Sequence, residues 1–400
     1  MSRDPERRAP AIDPALIVLL TMGGFGVMGG ALVAPGLPSL VEPFDVSSDA
    51  VGLVLGSYTL SAALSLPLIG LLLDRLGRRT VGLACLVLDG TAGVLCAFAP
   101  GFTALLVLRF LQGAGIAGLI PVSMTIIRDW YTDRGDRLKI LGLLSGTISA
   151  SAMIIPLVGG LLAARDWRYP FLAYGFSLLL ALLFYFLVGE TVSLEDLPQP
   201  GLRRVVSSHI ESLAGAFTIV RVRETFMHAV VLYFLLYSLV TYLPLFLIRV
   251  HALNELFAGA ALSVQSLVAA IVSTQAGFID TFMPTKRKLL IGFCAITLSL
   301  ALLPFWPVAH LVVASLGLFG LGMGIVHPVI YHEATAAPPE HMAGSVVSLF
   351  NAMKYVGMTS APLILGMLGW TTGSLFLFAS LVALCWALLF LVTSTPGVRS

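Results

Sequence analysis

Long apolar runs, each closed by a short polar interval, repeat along this chain from end to end. Twelve stand out. The first six cover residues 15–37, 51–73, 80–99, 102–127, 140–163 and 169–188. The second six cover 225–248, 256–279, 289–306, 308–331, 344–368 and 373–393. A helix rises about 1.5 Å per residue, so runs of roughly 18 or more residues reach across a hydrocarbon core of about 30 Å. Backbone N–H and C=O groups in lipid must bond within their own segment, so the pattern predicts twelve transmembrane α-helices.

Composition agrees. The chain has 400 residues, of which 58% are hydrophobic and 11% charged. Soluble domains average about 25% charged. The net charge of +2 gives no reason to expect a nucleic-acid partner. Arg7 and Arg8 precede the first run as they would in a signal peptide. That run is about 23 residues long, beyond a cleaved core of 7–15, and reads as a retained first helix. Cys85, Cys96, Cys294 and Cys385 all fall inside apolar runs, without disulfide or metal spacing, and read as packing residues. No metal or cofactor is expected.

Basic residues set the orientation. Eighteen of the 23 Lys and Arg fall in intervals on one side, and only Arg165, Arg168 and Arg249 on the other. Arg109 and Lys354 lie within runs. Cytoplasmic loops retain Lys and Arg, so both termini are expected in the cytoplasm, with the chain in the plasma membrane. The longest interval, 190–224, carries Pro198, Pro200 and several charges. It predicts a cytoplasmic linker, with a short surface helix over 209–220, between six-helix bundles at 1–189 and 225–400. The bundles echo one another. Gly113-x-Gly115 then Pro121 answers Gly322-x-Gly324 then Pro328, and Pro156 with Gly159-Gly160 answers Pro362 with Gly366. Gly277-x-x-Asp280 with Lys286-Arg287-Lys288 answers the loop at residues 70–79.

That loop reads Gly70-Leu-Leu-Leu-Asp74-Arg75-Leu-Gly77-Arg78-Arg79. It resembles the signature between helices 2 and 3 of the major facilitator superfamily. The resemblance extends over almost the whole chain and is nearest to the twelve-helix drug:proton antiporters. It implies two pseudo-symmetric bundles that rock about a midplane site. It also implies that Gly70 and Gly77 let helices approach, while Asp74, Arg75, Arg78 and Arg79, with Asp280, Lys286 and Arg287, hold one state through cytoplasmic contacts. Leu108-Arg109-Phe-Leu-Gln112-Gly113 resembles the helix-4 motif tied to proton transfer. Gly142 with Pro156, Gly159 and Gly160 matches in part the bending motif of antiporters, with Ser151 and Ile155 where that pattern has glycines.

Physical reasoning marks further residues. Charges within a span are expensive and tend to mark function. Asp89 and Arg109 lie at matching depths in neighbouring spans, and a pair between them would give protons a handle on conformation. Lys354 sits near a midplane, three residues from Asn351 on one helical face. It could bind an anion, pair with an acid or couple ions. Gln112, His327, Tyr58, Tyr242 and Gln265 are candidates for the cavity lining. Gly113-x-Gly115-x-x-Gly118 fits a dinucleotide fingerprint, but no strand precedes it, so it reads as a packing face. There is no Walker loop, and no nucleophile paired with a base. The expectation is a non-enzymatic, monomeric secondary transporter, exporting a small amphiphile against protons. Transport of a small organic anion and a non-transporting membrane sensor remain open alternatives.

Overall fold

The computed structural model describes residues 13–191, 215, 217–336 and 343–393, with the side chains of Asp74, Ala343, Gly344, Ser345 and Thr393 excepted. Much of the 190–224 linker and part of the expected 209–220 surface helix lie outside these residues, as does the Asp74 side chain.

Sixteen α-helices run through the described residues. They are α1 (Pro14–Phe25), α2 (Met28–Ala31), α3 (Leu53–Leu76), α4 (Arg78–Cys96), α5 (Phe102–Ile116), α6 (Leu119–Trp130), α7 (Arg134–Ala163), α8 (Tyr169–Leu172), α9 (Gly175–Leu187), α10 (Val220–His251), α11 (Glu255–Thr274), α12 (Ala276–Phe282), α13 (Thr285–Leu302), α14 (Ala309–Ala336), α15 (Ala343–Leu368) and α16 (Thr372–Thr393). Ten stretches among the described residues are long and apolar enough to cross a membrane.

The other two predicted spans have their own explanations. Span 1 is not one helix. It breaks into α1, α2 and a 3-10 turn at Ala34–Leu40, because Gly23, Gly24, Gly26, Gly29, Gly30, Pro35 and Pro38 crowd one segment. Span 11 is α15, 26 residues long with Asn351 and Lys354 near its middle. Spans 4 and 6 also break, into α5 and α6 and into α8 and α9.

Sequence chemistry sets the ends. Asp13 caps α1, Asp133 caps α7 and Asn254 caps α11, each side chain accepting a backbone N–H of the first turn. Gly77, with φ of 82°, is the single residue between α3 and α4. A side chain there would be strained and would also strike Glu190.

Helices α1 to α9 pack among themselves, chiefly α3 and α4 on α5, α4 on α9 and α1 on α7. Helices α10 to α16 do likewise, through α10 on α15, α11 on α14 and α13 on α14 and α16. Phe171 and Phe184 fill the first core; Phe226, Phe293, Phe319 and Phe376 fill the second. Large apolar side chains are also exposed on the outside, Leu179, Leu182 and Phe186 on α9 and Leu381 and Leu388 on α16 among them. In lipid this costs nothing, whereas in water it would drive association. Cys85 and Cys96 are packing residues as expected, but Cys294 and Cys385 lie on this exposed surface.

Among the described residues the 3-10 turn at Ala34–Leu40 packs on α10 and α11, and two main seams join the sets, α7 against α11 and α3 against α15. In span numbers these are 5 with 8 and 2 with 11. Adding six to each number exchanges one seam for the other, as two related bundles require.

Candidate functional site

The seams are closed at one end only. At the Ser39 end, Ser39 Oγ donates to Glu255 Oε1 at 2.7 Å, and Thr359 Oγ1 donates to Thr59 Oγ1 at 2.9 Å. Added methyl groups at Gly160 and Gly259 would strike the facing backbone, since Gly160 lies on Glu255 and Gly259, and Gly259 lies on Pro156. Toward the Arg78 end the same helices separate. Methyl groups added at Gly142, Gly146, Gly70 or Gly277 would meet nothing within 4 Å. The helix-5 motif therefore divides: Pro156 and Gly160 are in the closed seam, Gly159 packs on the Leu32 backbone of its own half, and Gly142 is in the open part. Close helix approach at Gly70, implied by the loop resemblance, does not occur in this conformation.

Midway along the first half lies a fully buried polar chain. Ser177 Oγ donates to Asp89 Oδ2 at 2.7 Å, and Gln112 Nε2 donates to Asp89 Oδ1 at 3.1 Å. Arg109 donates to Gln112 Oε1 at 2.7 Å, Gly29 O at 2.6 Å and Val54 O at 3.2 Å. Its guanidinium lies over the Tyr58 ring, 4.5 Å from the centroid. Asp89 and Arg109 are thus joined as the sequence suggested, but through Gln112 rather than by a direct ion pair. The early end of α2 at Ala31 leaves the carbonyl of Gly29 free for Arg109. A central arginine costs about 3 kcal/mol on insertion scales, and charged hydrogen bonds return about 1.5–3 kcal/mol each. Arg109 is therefore well compensated.

Lys354 in the second half differs. Its ammonium donates to Asn351 Oδ1 at 3.2 Å and lies 5.0 Å and 6.0 Å from the Tyr233 and Phe350 ring centroids. Among the described residues no carboxylate stands within ion-pair reach of it. One neutral acceptor and ring contacts of about 0.5–2 kcal/mol offset only part of the cost. His327 stands edge-on to Tyr233 at 6.2 Å, and Tyr331 packs near His327 and Phe350. Tyr237 reaches across the halves to Gly30, and Tyr58 presses on Gly29.

The remaining cavity candidates divide. Tyr242 is buried at the closed end near Gly52 and Gly366, its hydroxyl without a hydrogen-bond partner. Gln265 is buried beside Gly320, and its Oε1 accepts from Ser266. Gly113, Gly115 and Gly118 pack on Tyr58, Asp89 and Cys85, the close-packing face expected of them.

The charged loops form two unlike arrangements. In the first half, Glu190 accepts the backbone N–H groups of Arg78 and Arg79, capping α4. Arg78 pairs with Asp129 at 3.3 Å and donates to Leu73 O, while Arg79 donates to Tyr185 O and covers its ring. Arg75 is exposed at the end of α3. In the second half, Asp280 pairs with Lys288, not with Lys286 or Arg287, because Lys288 is the inward-facing residue of the three. Lys286 donates to Leu391 O. This partner holds the Asp280 carboxyl below the usual range. Arg221 pairs with Glu333.

Sequence reading missed Ser177, Tyr233, Tyr237, Asp129, Glu190 and the Ser39–Glu255 contact. Two signals were present. Tyr233 and Tyr237 recur at helical spacing, and Asp129 and Glu190 sit at span ends beside the basic loop.

A family model described as Major Facilitator Superfamily matches residues 19–362. The bacillibactin exporter of Bacillus subtilis (strain 168) is 29% identical over 378 residues, covering 89% of this chain and 91% of that one. Puromycin resistance protein pur8 of Streptomyces alboniger is 28% identical over 424 residues, covering 89% and 84%. A bacterial homolog of the human lysosomal transporter Spinster, solved inward-facing and occupied, superposes with a TM-score of 0.78 at 17% identity, covering 96% and 98%. A D-xylose-proton symporter superposes with a TM-score of 0.77 at 16% identity, covering 96% and 98%.

Proposed function

Because this chain belongs to the Major Facilitator Superfamily of membrane transporters, we propose that it exports a small amphiphilic compound by alternating access, driven by protons. The observation that carries this reading is the pair of seams closed at the Ser39 end and open at the Arg78 end. Helices that meet over half their length can part there and meet at the other end. Positive loops put the Arg78 end in the cytoplasm, so this conformation opens inward. In this reading residues 1–189 and 225–400 are the moving halves, 190–224 tethers them, and both termini are cytoplasmic. The protein works as a monomer in the plasma membrane.

The export direction draws on the relatives named as an exporter and a resistance protein. Proton coupling is assigned to Asp89. It is the one carboxylate among the described residues that is fully buried, and it is tied through Gln112 to an arginine that grips both α2 and α3. Protonating Asp89 would weaken Gln112's hold and free Arg109 to shift against those helices. The Arg78 and Asp280 loops act on the balance between states rather than on substrate.

Purified protein in proteoliposomes should move hydrophobic compounds faster when an imposed proton gradient opposes the substrate's direction. Equal rates with and without the gradient would remove coupling, and no flux of any compound would favour the sensor. Transport of a small organic anion is the second reading, favoured by Lys354.

A further inference from the structure

The first half satisfies its intramembrane cation and the second half does not. Arg109 is held by three acceptors and a ring. Lys354 has one neutral acceptor and two rings. It lies near the middle of α15, yet it keeps partial exposure, as do Asn351, His327 and Tyr355. Tyr331 is 38% exposed although it stacks near the same cluster. A mid-helix lysine with accessible surface and no carboxylate beside it faces an internal space rather than a packed core. Rings surround it: Tyr233, His327 and Tyr331 stand about Lys354, with Phe350 fully buried behind Tyr331.

We propose that this cluster is the substrate's binding site and that its ligand is an aromatic ring bearing an anionic oxygen, a carboxylate or phenolate. Lys354 takes the oxygen, because no carboxylate among the described residues stands within ion-pair reach of it. Asn351 holds the ammonium from behind. Tyr233 and His327 flank the ring of the ligand, where edge-to-face and stacked contacts suit flat molecules. A cationic drug would be repelled, because the nearest fixed charge is positive. The inference rests on the transporter reading for its consequence, but binding can be tested alone.

The test uses the full chain in detergent micelles, with radiolabelled salicylate as probe. Salicylamide serves as the neutral isostere and tetraphenylphosphonium as the cation. Salicylate should bind, salicylamide should compete at least about tenfold less well, and tetraphenylphosphonium should not compete. Lys354→Gln and Lys354→Met should each weaken salicylate binding about tenfold or more, while Lys354→Arg should hold within about threefold. Tyr233→Ala should weaken it and Tyr233→Phe should not. No salicylate binding up to about 10 mM, equal competition by salicylamide, or unchanged affinity in folded Lys354→Gln would each overturn the proposal. The wild-type comparison needs no variant to fold. Salicylate selectivity without gradient-dependent flux would defeat the coupled-transport reading and leave this one standing. Flux without selectivity would do the opposite.

Discussion

The two halves share a plan and treat their charges differently. In the first, cations are braced by several acceptors: Arg109 by three, and Arg78 by Asp129 and Leu73 O, with Glu190 on its backbone. In the second, Lys354 has one neutral acceptor, Asn351, with two rings, and Lys288 has the single partner Asp280 among the described residues. A duplicated framework has been divided between holding and reaching. The braced cation ties elements of its own half together, while the sparse one is left available.

The largest effect that can break this contrast comes from Arg109→Gln. It strands the carbonyls of Gly29 and Val54 and leaves the Asp89 end of the chain without its counter-charge. Losing one partner of a buried charged network costs about 3–5 kcal/mol, so folded yield and melting temperature in detergent should collapse. Lys354→Met should melt within about 1 kcal/mol of the parent, because little is lost with it, yet transport should fall sharply. If instead Lys354→Met unfolds the protein and Arg109→Gln does not, the assignment of bracing and reaching is reversed.

Asp89→Asn comes next. The amide keeps the shape but sets its own donor against that of Gln112 or Ser177, at a cost of about 1–3 kcal/mol. Gradient-driven flux should fall while downhill exchange continues. Loss of both together would make Asp89 structural. A side chain at the closed seam, as in Gly160→Leu, should prop that end apart; thiol labelling of a cysteine placed at Ser39 would then rise several-fold. Unchanged labelling would mean the seam yields elsewhere.

The smallest effect belongs to Asp280. Lys288 depresses its acidity constant, so whatever stability the pair gives is complete above the unfolded value of about 3.9 and is lost as pH falls through the lower folded value. Asp280→Asn should therefore lower the melting temperature slightly at pH 7 and not at all near pH 2. Asp280 itself is exposed, so even the neutral-pH effect is screened. A difference that grew on acidification would contradict the pairing.

Spans were legible because lipid demands long apolar runs, and the repeats were legible because glycine and proline mark where helices touch. The break in span 1 was not. Its apolarity is continuous, and only the density of glycine hints that Gly29 must offer its carbonyl to Arg109. Asp89, Arg109 and Lys354 stood out because charge inside a span is costly. Their partners did not: Gln112 between two charges, Ser177 from another helix and Tyr233 under an ammonium are common residues until distance singles them out. Lys286, Arg287 and Lys288 look alike in sequence until the helix turns Lys288 inward.

Gly160 and Gly259 meet as bare main chain. Nothing interlocks there, so parting the surfaces requires no rotamer to be withdrawn and closing them requires none to be found. A doorway faced this way keeps its fit by shape alone and wears the same on every cycle. Its tightness is fixed by the width of a peptide, which makes those two positions intolerant of added bulk and independent of the identity of whatever passes through.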